Sequence, residues 1–127
     1  MSRMYVYLAI AGFGILGCLA RYLMTQLVQG IWGASFPYAT LIINVSGSFL
    51  MGFLFVETLD RLTLPVALRT GILTGFIGGY TTFSTYMMET LLLAEQGLML
   101  RGALYLLLSN VFGLLAAFFG AFLARNI

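Results

Sequence analysis

Charge is what this sequence most lacks. Only 8% of its 127 residues are charged, where a water-soluble domain carries about 25%. The six basic side chains are all arginine, and the four acidic ones are Glu57, Asp60, Glu89 and Glu95. So few charges cannot solvate a globule of this size, and with 61% hydrophobic residues lipid must be the solvent for most of the surface. Histidine is absent, which removes the usual metal ligand, general base and haem ligand together. The single cysteine, Cys18, cannot form an intramolecular disulfide, says nothing about redox compartment, and cannot build a zinc or iron–sulfur site alone. The arginines are scattered rather than clustered, so the net charge of +2 implies no nucleic-acid partner. No nucleophile has a visible base partner, which argues against an enzyme. There is no soluble domain, linker, internal repeat or low-complexity segment.

What remains is apolar sequence in long runs, and a transmembrane helix needs about 20 such residues. The first span is predicted over residues 4–28, interrupted only by Arg21 near its end. Gly30, Gly33 and Pro37 then mark a loop, with Trp32 and Tyr38 as interfacial aromatics. The second span covers residues 38–59 and is closed by Glu57, Asp60 and Arg61 at the headgroups. The fourth covers residues 98–124 and ends at Arg125. Arg3 before an apolar run, and Leu16-Gly17-Cys18, loosely resemble a signal peptide and a lipoprotein cleavage site. Further spans follow, however, and Cys18 is better read as a small packing residue. Four spans place Arg3, Arg61, Arg69 and Arg125 on one side of the membrane and Arg21 and Arg101 on the other. Arg21 and Arg69 lie near helix ends, so the positive-inside bias permits either orientation.

The third stretch, residues 64–94, is the odd one. As a straight helix it would be about 45 Å long against a hydrocarbon core of about 30 Å. It contains Gly75, Gly78 and Gly79, three glycines within five residues and poor helix material. A broken helix is expected, with non-helical backbone between about residues 75 and 82. Inside a bilayer, backbone that leaves the helix needs protein or water to satisfy it, and broken membrane helices commonly lend those groups to ions. The competing reading is a packing seam, because Gly71, Gly75 and Gly79 recur at every fourth position.

The residues that follow favour an ion pathway. Thr81, Thr82, Ser84 and Thr85 supply hydroxyls, interleaved with the rings of Phe83 and Tyr86. On a resumed helix Phe83 and Tyr86 share one face, and Thr82, Thr85 and Glu89 share another. Hydroxyl donors and electropositive ring edges together suit the dehydration of a small anion; the alternative is hydroxyls bonded back to their own helix. Asn44, midway along the second span with Ser48 one turn on, either ties helices together or turns its amide to a polar path. Tyr105, Ser109 and Gly113 form an i, i+4, i+8 stripe on the fourth span, as a hydroxyl-bearing wall or a tight packing face. Arg21 either snorkels to the interface or draws anions to a vestibule. Glu89, within the hydrocarbon zone, is a functional candidate by position. Met87, Met88 and most phenylalanines read as filler or lipid contacts.

These residues are similar to the Fluc (CrcB) family of fluoride channels over essentially the full length. The match runs through Gly17-Cys18-Leu19-Ala20-Arg21-Tyr22, through Thr40-Leu41-Ile42-Ile43-Asn44, and above all through Gly75 to Glu89. The resemblance implies an all-α membrane protein of four transmembrane helices with a broken third, forming an antiparallel (dual-topology) homodimer with two fluoride pores. It implies a sodium ion, Na+, at the dimer centre, held by the carbonyls of Gly78 and Thr81 from both protomers. Phe83 and Tyr86 take the places of two pore-lining phenylalanines, and Asn44 that of the pore asparagine. Thr82, Ser84 or Thr85, with Glu89 at the end, form the hydroxyl track, and Tyr105 and Ser109 complete the wall. The chain departs from the pattern at Tyr86, usually phenylalanine, at Met87 and Met88, usually smaller, and at Gly113, often serine.

The implied function is a passive, selective channel for fluoride ion in the plasma or inner membrane, surrounded by lipid. A small multidrug transporter is similar in size but wants a carboxylate in its first span, and residues 4–28 contain none. A membrane anchor or assembly factor would leave the polar break without purpose.

Overall fold

The computed structural model describes residues 2–127. Among them every regular element is helical. Helix α1, Ser2–Trp32, has 31 residues and rises about 46 Å, more than the bilayer core requires. It ends where Gly33, at φ 76°, takes the left-handed conformation and its amide caps Gln29 O at 2.9 Å. Helix α2, Tyr38–Asp60, starts directly after Pro37. It is closed by the amides of Arg61 and Leu62, which both donate to Glu57 O.

The third span is a composite, α3, made of Val66–Thr70 in α-helix, Gly71–Ile77 in π-helix and Gly78–Tyr80 in α-helix. Thr81 then turns to an extended conformation (φ −81°, ψ 160°). The chain resumes as α4, Ser84–Glu95. A turn at Gly97 (φ 80°) leads into α5, Met99–Asn126. Helices α1, α2 and α5 are each long and apolar enough to cross a membrane, while α3 and α4 are shorter and joined through residues 81–83.

The helices associate in two close pairs, α1 with α3 and α2 with α5. Both are built on missing side chains, as expected where lipid supplies no hydrophobic drive and backbones must approach closely. A Cβ on Gly52 would strike the Ala117 carbonyl, and one on Gly120 the Phe49 carbonyl. On the other pair, a Cβ on Gly75 would lie 2.9 Å from Ile10 O, and one on Gly79 2.9 Å from Gly14 O.

The irregular backbone is shorter than the glycine content predicts. Residues 75–80 are helical, and only Thr81, Thr82 and Phe83 leave the helix. The glycines are not breakers here because the surface freed by their absent side chains is filled by α1, which outweighs their poor propensity of about 1 kcal/mol each. The break and the packing seam are therefore both real, on adjacent residues. Gly30 likewise lies inside α1 rather than in a loop, because the hydrophobic run carries the helix on to Trp32.

Candidate functional site

The break is held open by one side chain. Asn44, on α2, donates from Nδ2 to Thr82 O at 2.9 Å and accepts at Oδ1 from Thr82 N–H at 2.8 Å. Both main-chain groups of Thr82 are thus satisfied by an amide 38 residues away. The Thr82 amide would otherwise continue α3 by bonding Gly78 O. Its diversion leaves that carbonyl without a helical donor. Among the described residues no hydrogen bond ends on Gly78 O or Thr81 O. Gly78 is exposed and Thr81 half-buried. Gly47, three residues past Asn44, makes room for this geometry: a Cβ there would meet the Thr81 methyl and the Tyr80 ring. Nothing in the sequence singles out Gly47 beyond that spacing.

Beyond the break, Thr82 Oγ1 accepts from Thr85 N–H at 3.3 Å and donates to Thr85 Oγ1 at 3.0 Å. Thr82 therefore caps α4 from just outside it. The remaining first-turn amides, with the positive end of the helix dipole, point to the gap. A cleft of about 290 Å³ opens there, lined among others by Asn44, Ser48, Met51, Thr82, Phe83 and Tyr86. Both rings line the cleft, but unequally: Phe83 is 72% exposed and Tyr86 only 6%. Phe83 stands before the first turn of α4, and the two rings meet edge to face at 6.1 Å. Ser84 and Thr85 are exposed at the same helix start.

Tyr86 turns its hydroxyl away from this cleft, donating to Leu106 O on α5 at 3.1 Å. Its ring packs edge-on against Tyr105 at 5.1 Å. Tyr105 is fully buried and donates to Glu89 Oε1 at 2.9 Å. Glu89 borders a second, smaller cleft of about 200 Å³ beside Ser35 and Pro37 of the α1–α2 loop. The Tyr105, Ser109, Gly113 stripe faces inward: Ser109 Oγ is buried without a partner among the described residues, and the Cα of Gly113 points toward Ser48 Oγ, 3.7 Å from where a Cβ would lie. Met87 packs against the Tyr86, Leu93 and Tyr105 cluster, and Met88 is exposed.

Arg21 lies apart from the cleft-lining residues. Its Nε donates to Gly79 O at 3.1 Å, joining α1 to the end of α3. Sequence spacing also gives no sign of the bond between Ser46 Oγ and Tyr80 OH at 2.9 Å. The same holds for Arg69, whose Nε reaches Thr58 Oγ1 at 2.9 Å and whose guanidinium lies 4.7 Å over the Phe55 ring. Such partners sit on different spans, and only the fold brings them together.

A protein of Acidithiobacillus ferrooxidans named fluoride-specific ion channel FluC is 53% identical over 117 residues, covering 92% of this chain and 94% of its own. A protein of the same name from Syntrophotalea carbinolica is 44% identical over 122 residues, covering 96% and 98%. One from Methylococcus capsulatus is 50% identical over 119 residues, covering 94% of this chain and 52% of its own. Residues 8–121 match the family described as CrcB-like protein, Camphor Resistance (CrcB). With relatives this close over nearly its whole length and apolar helices able to cross a bilayer, the chain is a multi-pass membrane protein that belongs to the CrcB family.

Proposed function

We propose that the chain is a fluoride-selective channel, working as an antiparallel homodimer that lets cytoplasmic fluoride leave the cell down its gradient. The observation that carries this reading is the Asn44–Thr82 pair, which turns a helix interruption into a surface of unengaged donors and carbonyls beside a cleft. The relatives named as fluoride channels supply the ion. No enzymatic step is involved.

Fluoride is small and strongly hydrated, so a selective path must replace its water with closely placed donors. Ser84 and Thr85 offer hydroxyl protons at the start of α4, where the helix dipole favours an anion, and Thr82 holds Thr85 in place by donating its own proton to Thr85 Oγ1. Phe83 and Tyr86 offer ring edges, the positive rim of the aromatic quadrupole. An amide has two N–H donors, and Asn44 keeps one beyond its bond to Thr82. Ser109 and Tyr105 extend the wall, and Glu89 ends the track at the smaller cleft. Tyr86 acts through its ring, because its hydroxyl is engaged by Leu106. Arg21 adds positive potential near the break.

The carbonyls of Gly78 and Thr81 fit a sodium ion: they are hard oxygen donors, freed by the break, and Gly78 is exposed on the outer face where a second protomer would add the same pair. Bound there, sodium would supply fixed positive charge to an interior otherwise hostile to anions.

Efflux from liposomes holding the pure protein, read with a fluoride electrode and repeated for chloride, tests the function. Fluoride release with chloride retained is expected. Release of neither ion, or of both at like rates, overturns it.

A further inference from the structure

The end of α3 treats its carbonyls unequally. Ile77 O accepts from the amide of Thr81 at 3.0 Å and from its hydroxyl at 3.0 Å. Thr82 O is held by Asn44. Between them, Gly79 O is taken by Arg21 Nε at 3.1 Å. The carbonyls of Gly78, Tyr80 and Thr81 accept no hydrogen bond among the described residues, and of the three residues only Tyr80 is buried.

Arg21 reaches Gly79 because α1 and α3 are almost in backbone contact there. A Cβ on Gly79 would lie 2.9 Å from Gly14 O and 3.3 Å from both N and Sγ of Cys18. Cys18 is one turn before Arg21, on the side of α1 that meets Gly79, and the Arg21 guanidinium reaches the Gly79 carbonyl from that side. A charged side chain in a membrane span needs such an acceptor, and the half-buried Arg21 finds it at the edge of the break.

Successive carbonyls of a helix diverge by about 100° around its axis. With Gly79 O held toward α1, Gly78 O lies about 100° around the axis from it, and Gly78 is exposed. We propose that Arg21 is the positioning residue of the cation site, drawing the Gly79 carbonyl onto α1 so that those of Gly78 and Thr81 are the pair presented to sodium. The inference rests on the sodium reading above. Arg21 acts by geometry, since a guanidinium near a sodium ion is adverse in charge.

Thermal unfolding of the purified protein in micelles tests this, with sodium chloride titrated against N-methyl-D-glucamine chloride at constant ionic strength. The parent protein should be stabilised by sodium. In Arg21→Met the sodium concentration needed for half the effect should rise about tenfold, as expected for losing one hydrogen bond from a charged donor. Arg21→Lys, which keeps a donor and the charge, should stay within about threefold. Where Arg21→Met does not fold, Arg21→Gln, whose stem is too short to reach Gly79 O, takes its place under the same tenfold criterion. Sodium stabilisation in the neutral variant equal to or tighter than the parent's overturns the positioning role alone. No sodium effect in the parent removes the sodium reading itself, and this inference with it.

Discussion

Asn44 and Thr82 are bound to each other twice, amide to carbonyl and carbonyl to amide, at 2.9 and 2.8 Å. One side chain thereby replaces both hydrogen bonds that a continuing helix would have given Thr82. Asn44 thus ties α2 to the break at the margin of the cleft.

Removing that amide exposes two main-chain groups in a low-dielectric setting, at about 1–3 kcal/mol for each group left unsatisfied. Asn44→Ala should therefore lower unfolding free energy by at least about 1 kcal/mol and abolish fluoride efflux. Asn44→Asp keeps the acceptor but sets a negative oxygen against Thr82 O, so it should fare no better. Chemical unfolding in micelles and electrode efflux measure both effects. An alanine variant within about 0.5 kcal/mol of the parent would show that the pair does not hold the break.

Phe83 and Tyr86 should respond in opposite ways. Phe83 is 72% exposed, so Phe83→Ile should leave stability within about 0.5 kcal/mol. Flux should nevertheless fall about fivefold, for about 1 kcal/mol of lost ring-edge stabilisation. Tyr86→Phe removes the bond to Leu106 O but keeps the ring. It should lower stability by about 1 kcal/mol and hold flux within about twofold. The reverse pattern, with flux sensitive to the Tyr86 hydroxyl and indifferent to the Phe83 ring, would mean the cleft is lined otherwise.

How much of this was legible beforehand depends on the range of the interaction. Long apolar runs mark α1, α2 and α5 within a few residues, and the i, i+4, i+8 spacing of Tyr105, Ser109 and Gly113 places them on one inward stripe. The interruption in the third span was legible too, but not its extent. Gly75 and Gly79 look like helix breakers until α1 is seen filling the space beside them. The true break lies where Thr82 finds a better partner than Gly78, and that partner is on another span. Arg21 and Gly79, 58 residues apart, are equally invisible to local spacing.

The glycine seams give a contrast within one residue type. Gly52→Ala drives a methyl into the Ala117 carbonyl, which must separate α2 from α5 or strain both, at about 1–3 kcal/mol. Gly30 lies in α1 with nothing within 4 Å of the place a Cβ would take. Gly30→Ala should stabilise by about 0.5–1 kcal/mol. Thermal unfolding of the two variants side by side is the measurement, and equal shifts would show that close helix approach is not what these glycines serve.

Tyr105 and Glu89 pose the remaining question, whether they act on the ion separately or as one unit. Tyr105 is fully buried, its hydroxyl sits 2.9 Å from the Glu89 carboxylate, and its ring lies edge-on to Tyr86. A carboxylate beside an anion path is repulsive unless its oxygen is engaged, and Tyr105 engages it. Tyr105→Phe should slow fluoride efflux by freeing that oxygen, and adding Glu89→Gln, which removes the charge, should restore part of the lost rate. If the pair is a unit, the double variant should be no slower than the slower single one, with a coupling of about 1–2 kcal/mol between the two sites. Efflux rates that multiply, each change acting as though the other were absent, would instead make them independent contacts along the track, and the hydrogen bond between them incidental to conduction.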